Sequence, residues 1–147
     1  MRVILAGATG WAGSALARGI ARTGDLQLVA AIARTTAGQT LGAVLGEPAL
    51  SAPVHATAAE ALATPCDVFV EFTKPAGAKA NILAALEAGA HVVVGTSGLS
   101  DVDYAEIDGV ARARGRGVLA CGNFALTVVL LQRFAEGAKE AGRDPKT

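Results

Sequence analysis

"RVILAGATGWAGSA", residues Arg2 to Ala15, opens on an apolar run and then places Gly7, Gly10 and Gly13 three residues apart. The run is aliphatic and does not alternate, which marks a strand buried on both faces. From Trp11 to Arg22 the pattern turns helical, with Ala12, Leu16 and Ile20 on one face and Gly24 as the expected C-cap. Glycines between a strand and a helix have mechanical uses. Gly7 permits a tight exit from the strand. Gly10, with no Cβ, lets a diphosphate approach the backbone, and Gly13 lets the helix pack closely on the sheet. The start of the helix then offers unpaired N–H groups and partial positive charge to phosphates. The motif requires this strand–loop–helix context, and the sequence provides it. The alternative is a glycine-rich turn needed only for packing.

Working outward, further strands are expected at Leu26–Ala33, Cys66–Thr73, His91–Thr96 and Gly117–Cys121. Helices are expected at Ala58–Ala63, from Pro75 to Ala88, from Asp101 to Arg114 with Ser100 as N-cap, and over residues 125–141. Residues 35–58 lack a clear period and read as a loop with one short helix and a short strand near Val54. Alternating strands and helices imply an α/β fold, a Rossmann-like doubly wound parallel sheet in a single domain. We divide the chain into a dinucleotide-binding domain, residues 1–124, and a following helix and tail, residues 125–147. Such sheets bind ligands beyond the carboxyl ends of their strands. The small and polar residues gather there: the glycine loop, Arg34 to Thr36, Thr73 and Lys74, "GTSG" from Gly95, and "GNFA" from Gly122.

Composition narrows the partners. The 147 residues carry 13 basic and 13 acidic side chains, so no charge excess favours nucleic acid. Cys66 and Cys121 have no CxxC or histidine context and read as buried apolar residues rather than a metal site. The positive mean hydropathy of +0.42 reflects alanine and valine, since no stretch reaches the length of a membrane span. No membrane partner is expected, and the protein is expected to be cytoplasmic. His55 and His91 are both placed away from the strand-end rim and given no catalytic part.

Strand two ends at "IARTT", with Ala33 where dinucleotide folds often carry an acid for the ribose hydroxyls. Arg34 follows, then Thr35 and Thr36. A guanidinium followed by hydroxyls suits a 2′-phosphate, which favours NADPH, with NADH as the weaker ligand. A solvated surface arginine is the alternative.

The later motifs carry a resemblance. "VFVEFTKPAGAKANILAALEAGAHVVVGTSGLS", Val68 to Ser100, followed by "ACGNFA", Ala120 to Ala125, resembles the nucleotide-binding domain of 4-hydroxy-tetrahydrodipicolinate reductase, also called dihydrodipicolinate reductase, of bacterial lysine synthesis through diaminopimelate. The resemblance runs from Met1 to about Glu136. It implies that Gly7, Gly10, Trp11 and Ala12 line the diphosphate, with Gly13 beneath the helix and Arg34 at the adenosine end. It further implies Phe72 and Thr73 beside ribose and nicotinamide, Gly95, Thr96 and Ser97 beneath the nicotinamide, and Gly122, Asn123 and Phe124 at its carboxamide. It also implies Lys74 near the substrate side. "NFALTVV" departs from the family's Asn-Phe-Ser-x-Gly-Val and leaves residues 125–127 without an inferred role. The family's His-His…Lys…Pro-Ser-Gly-Thr segment of the substrate domain has no match in these residues.

The resulting expectation is the NADPH-binding domain of an oxidoreductase of this kind, truncated or short and inactive alone. A non-catalytic NADP-binding or sensing module is the alternative. A short-chain dehydrogenase is disfavoured, because Asp108 stands where that class needs a lysine four residues after Tyr104. Self-association is expected through residues 125–141, an apolar helix that would otherwise be poorly supported.

Overall fold

The strand, glycine loop and helix read from Arg2 onward are realised as a βα unit in the computed structural model, which describes residues 1–121, 130, 131 and 133–136. Six strands form one parallel sheet: β1 (Arg2–Ala6), β2 (Gln27–Ile32), β3 (Val54–His55), β4 (Val68–Glu71), β5 (His91–Val94) and β6 (Val118–Ala120). Their spatial order is β3-β2-β1-β4-β5-β6. All five pairings are parallel. This is the doubly wound order, with the direction of winding reversed between β1 and β4.

The helices divide between the two faces. Ile4 and Ala6 of β1 join the cluster of Ile82 and Leu86 from α4 (Pro75–Glu87) and Ile107 from α5 (Asp101–Arg114). Val3 and Leu5 join the opposite cluster, with Ala17 and Ile20 of α1 (Trp11–Ala21) and Leu41 of α2 (Leu41–Leu45). Every residue from Val3 to Ala6 is therefore buried although successive side chains point to opposite faces. The first short helix of the irregular region is α2, and α3 (Ala58–Ala61) starts at a capping box between Thr57 and Glu60. A 3-10 turn, Arg34–Thr36, leaves β2.

Several local expectations change. Gly24 does not cap α1; Arg22 is its C-cap, and the Thr23 hydroxyl donates to the Ile20 carbonyl 2.9 Å away. β4 is shorter than expected because its ladder with β1 runs only from Val3↔Val68 to Ala6↔Glu71. Cys66 and Cys121 are half-buried rather than buried. His55 closes β3 and so stands at the carboxyl-end rim, not away from it, because β3 pairs with β2 through Ile32↔His55. His91 begins β5 at the opposite edge, where its Nδ1 accepts from the Gly117 N–H at 2.9 Å. Of the helix expected over 125–141, residues 130, 131 and 133–136 are helical, and the remainder lies outside the described residues.

Candidate functional site: a cleft at the sheet's switch point

The loop after β1 is held by the absence of side chains. Gly7 has φ +79°, a left-handed conformation, and its N–H donates to the Ile32 carbonyl at 2.9 Å. A Cβ there would stand closer than 3.0 Å to the carbonyl of Phe72. At Gly13, buried in α1, a Cβ would strike the Gly7 carbonyl. The close approach at Gly13 is thus helix against loop, rather than helix against sheet as the sequence suggested. Gly10 differs from both. It has ordinary backbone angles, φ −72° and ψ 170°, and a Cβ would meet only the Gly7 oxygen, at 3.2 Å. As N-cap of α1 it has no side chain to cover the first-turn amides of Trp11, Ala12 and Gly13.

Gly7, Thr9 and Gly10 form one wall of a cleft of about 660 Å³. The end of β2, from Ile32 to Thr35, forms the next wall, Ala56 to Ala58 the next, and Phe72, Thr73, Lys74, Ala76, Gly77 and Asn81 the last. The cleft lies at the reversal of winding, where a doubly wound sheet binds ligands. Its walls are mostly small or apolar, with a few convergent polar groups, the usual composition of a cofactor site. Arg34 is exposed, and none of the ion pairs among the described residues involves it. Its guanidinium is therefore available to an anion.

Beneath the cleft sits a buried carboxyl. Glu71 ends β4 with none of its surface exposed. Burying a carboxyl without partners is costly, and here both oxygens are met. The Thr73 N–H donates to Oε1 at 2.6 Å and Asn81 Nδ2 donates to Oε2 at 2.9 Å. The Thr96 hydroxyl, itself buried, donates to the Thr73 carbonyl at 3.0 Å and lies 3.4 Å from Glu71 Oε1. Glu71 thereby ties the exit of β4 to α4 and to the exit of β5.

Of the residues singled out in the sequence, Gly7, Gly10, Arg34, Phe72 and Thr73 come together on the cleft. Gly13 lies beneath it. The Trp11 side chain is 95% exposed and lies off the cleft, so only its backbone amide adjoins the loop. Ala12 is half-buried in the first turn of α1. Gly95, Thr96 and Ser97 stand at the neighbouring strand end, outside the cleft wall, with Gly95 under the Phe72 ring. Gly122, Asn123 and Phe124 lie outside the described residues. Sequence reasoning missed Thr9, Thr57, Glu71 and Asn81. The available signal was an acid closing an apolar strand just before Phe-Thr.

Among the described residues no group of three or more His, Cys, Asp or Glu could hold a metal ion, and no helix is long and apolar enough to cross a membrane. Comparison with known proteins agrees with the geometry. The family profile described as "Dihydrodipicolinate reductase, N-terminus" matches residues 1–124. The 4-hydroxy-tetrahydrodipicolinate reductase of Moorella thermoacetica is 34% identical over 139 residues, covering 94% of this chain and 52% of that protein. The enzyme of the same name from Symbiobacterium thermophilum is 37% identical over 143 residues, covering 94% and 56%. The dipicolinate-bound dihydrodipicolinate reductase of Paenisporosarcina sp. TG-14 superposes with a TM-score of 0.78 at 26% identity, covering 94% of this chain and 53% of that one. The chain thus spans about half the length of the curated relatives it matches. On its sequence, its strand order and its switch-point cleft, the chain belongs to the dihydrodipicolinate reductase family and corresponds to that family's N-terminal domain.

Proposed function

We propose that this chain is the cofactor-binding part of an NADPH-dependent 4-hydroxy-tetrahydrodipicolinate reductase, with NADH as the weaker ligand. One observation carries the reading: the uncapped start of α1 and the unpaired Arg34 flank the same cleft. The residues present suit the group. Gly10 leaves open the space that a side chain would narrow, and the amides of Trp11, Ala12 and Gly13 can meet a diphosphate. Arg34, with Ala33 in place of an acid, suits a 2′-phosphate. Phe72 and Thr73, then Gly95, Thr96 and Ser97, and then Gly122, Asn123 and Phe124 would hold the nicotinamide half. Bound NADPH supplies a hydride; the protein's share is to hold it in one orientation.

Calorimetric titration with NADPH and NADH tests this. Arg34→Ala is expected to weaken NADPH by about tenfold or more, the loss of a charge-assisted bond of about 1.5–3 kcal/mol, and to leave NADH nearly unchanged. An unaltered NADPH/NADH ratio would remove the phosphate role. The same reading takes the protein to be cytoplasmic, in keeping with two unpaired cysteines. It also includes self-association through residues 125–141, for which the exposed Leu130, Leu131 and Phe134 speak. Sedimentation of a clean monomer at high concentration would remove that part.

A further inference from the structure

Asn81 lines the cleft near the small residues Ala58, Ala76 and Gly77, on the wall that also carries Phe72, Thr73 and Lys74. Its Nδ2 donates to Glu71 Oε2 at 2.9 Å, and among the described residues no donor reaches its Oδ1. A carboxylate accepts and does not donate. Glu71 therefore decides which end of the amide turns inward, and Oδ1 of this cleft-lining side chain is left without a donor among the described residues. The other Glu71 oxygen is engaged by the Thr73 N–H at 2.6 Å, so the carboxyl cannot easily turn away.

The cleft includes Arg34 and Thr35 at the end of β2 but not Gly95 to Ser97. On the dinucleotide reading above, on which this inference rests, it takes in the adenosine half of the site, with Phe72 and Thr73 on the side that leads to the nicotinamide. We propose that Glu71 is a positioning residue for base selection. By fixing the Asn81 amide it presents an acceptor to the purine, which selects the 6-amino group of adenine over the 6-oxo group of hypoxanthine. A 6-oxo group would set two acceptors face to face and leave both unpaired.

The test is the ratio of affinities for NADPH and its hypoxanthine analogue, measured by calorimetry on the chain and its variants. The unsubstituted chain is expected to favour NADPH by about tenfold. Glu71→Gln keeps an acceptor for the Thr73 N–H but puts an NH₂ where Oε2 stood. Asn81 must then turn its oxygen inward and its NH₂ toward the cleft, and the ratio is expected to fall to about one or below. The double variant Glu71→Gln with Asn81→Asp restores an inward acceptor and an acceptor at the wall, so the preference for NADPH should return. A purely structural role for Glu71 would move both affinities together and would not be rescued by this pair. A ratio near one in the unsubstituted chain, or an unchanged ratio in folded Glu71→Gln, overturns the proposal while NADPH binding itself stands. Should Glu71→Gln fail to fold by circular dichroism, Asn81→Ala decides: loss of the preference supports the proposal and its persistence overturns it. If neither nucleotide binds the unsubstituted chain, the dinucleotide reading falls and this inference with it.

Discussion

The ring of Phe72 occupies the space in which a side chain at Gly95 would stand. Three ring atoms lie closer than 3.0 Å to the position of a Cβ on residue 95. The exits of β4 and β5 are therefore packed against each other through an absent side chain. Gly95→Ala must displace the ring, and overpacking of this kind costs about 1–3 kcal/mol. Urea unfolding should show the midpoint falling by a corresponding amount with the slope unchanged.

The three loop glycines should separate in their effects. Gly7→Ala and Gly13→Ala place a methyl on backbone atoms of Phe72 and Gly7, which cannot swing aside as a side-chain tip can. Each is expected to destabilise by about 1–3 kcal/mol. Gly10→Ala meets only the Gly7 oxygen at 3.2 Å and should cost about 1 kcal/mol or less. Its effect should fall on NADPH instead, weakening binding about tenfold, about 1.4 kcal/mol. Thermal unfolding beside ligand titration would separate the two classes.

Acid should weaken the fold in a defined window. The Arg2 guanidinium and backbone N–H both donate to Asp67 and hold its carboxyl down at about 2 from an ordinary 3.8. Ser100, through hydroxyl and backbone, and then Lys79 hold Asp103 at about 2 as well. A carboxyl depressed in the folded state contributes stability that is fully present above its unfolded value and is lost as pH falls through its folded one. Stability should therefore decline from about pH 4 toward about pH 2. Asp67→Asn should flatten part of that slope in urea titrations at successive pH values, with little change near neutrality in the pH dependence itself.

Trp11 is the chain's single tryptophan and is 95% exposed beside the glycine loop. Trp11→Ala is expected to shift stability by no more than about 0.5 kcal/mol, as for other exposed sites. It should also leave NADPH affinity within about threefold, because the backbone amide is retained. In the unsubstituted chain, bound NADPH should quench Trp11 emission by energy transfer, and fluorescence titration checks both expectations.

Where local chemistry fixes an element, the sequence was enough. α5 begins and ends as read because Ser100 and Asp103 form a reciprocal cap and Gly115 takes a left-handed angle after Arg114. The doubly wound parallel sheet followed from the alternation of aliphatic strands with helices, whereas its strand order is seen only in the structure. The ends of β4 were not legible, since they depend on how far β1 runs beside it. His55 was misplaced because nothing periodic in residues 35–58 marks the end of β3. The Glu71–Asn81 bond joins a strand to the second turn of a helix ten residues on. Only the packing of α4 on the sheet brings the two together, so the sequence gives the acid but not its partner. At Trp11 the motif located the backbone amide, and burial alone could tell that the indole turns to solvent.

A crystal structure of the chain grown with NADPH tests the central claim most directly. The account predicts the diphosphate against the main-chain amides of Trp11, Ala12 and Gly13 and the 2′-phosphate within hydrogen-bonding reach of Arg34. Density for NADPH elsewhere, or a cleft closed by side chains under saturating nucleotide, would contradict it.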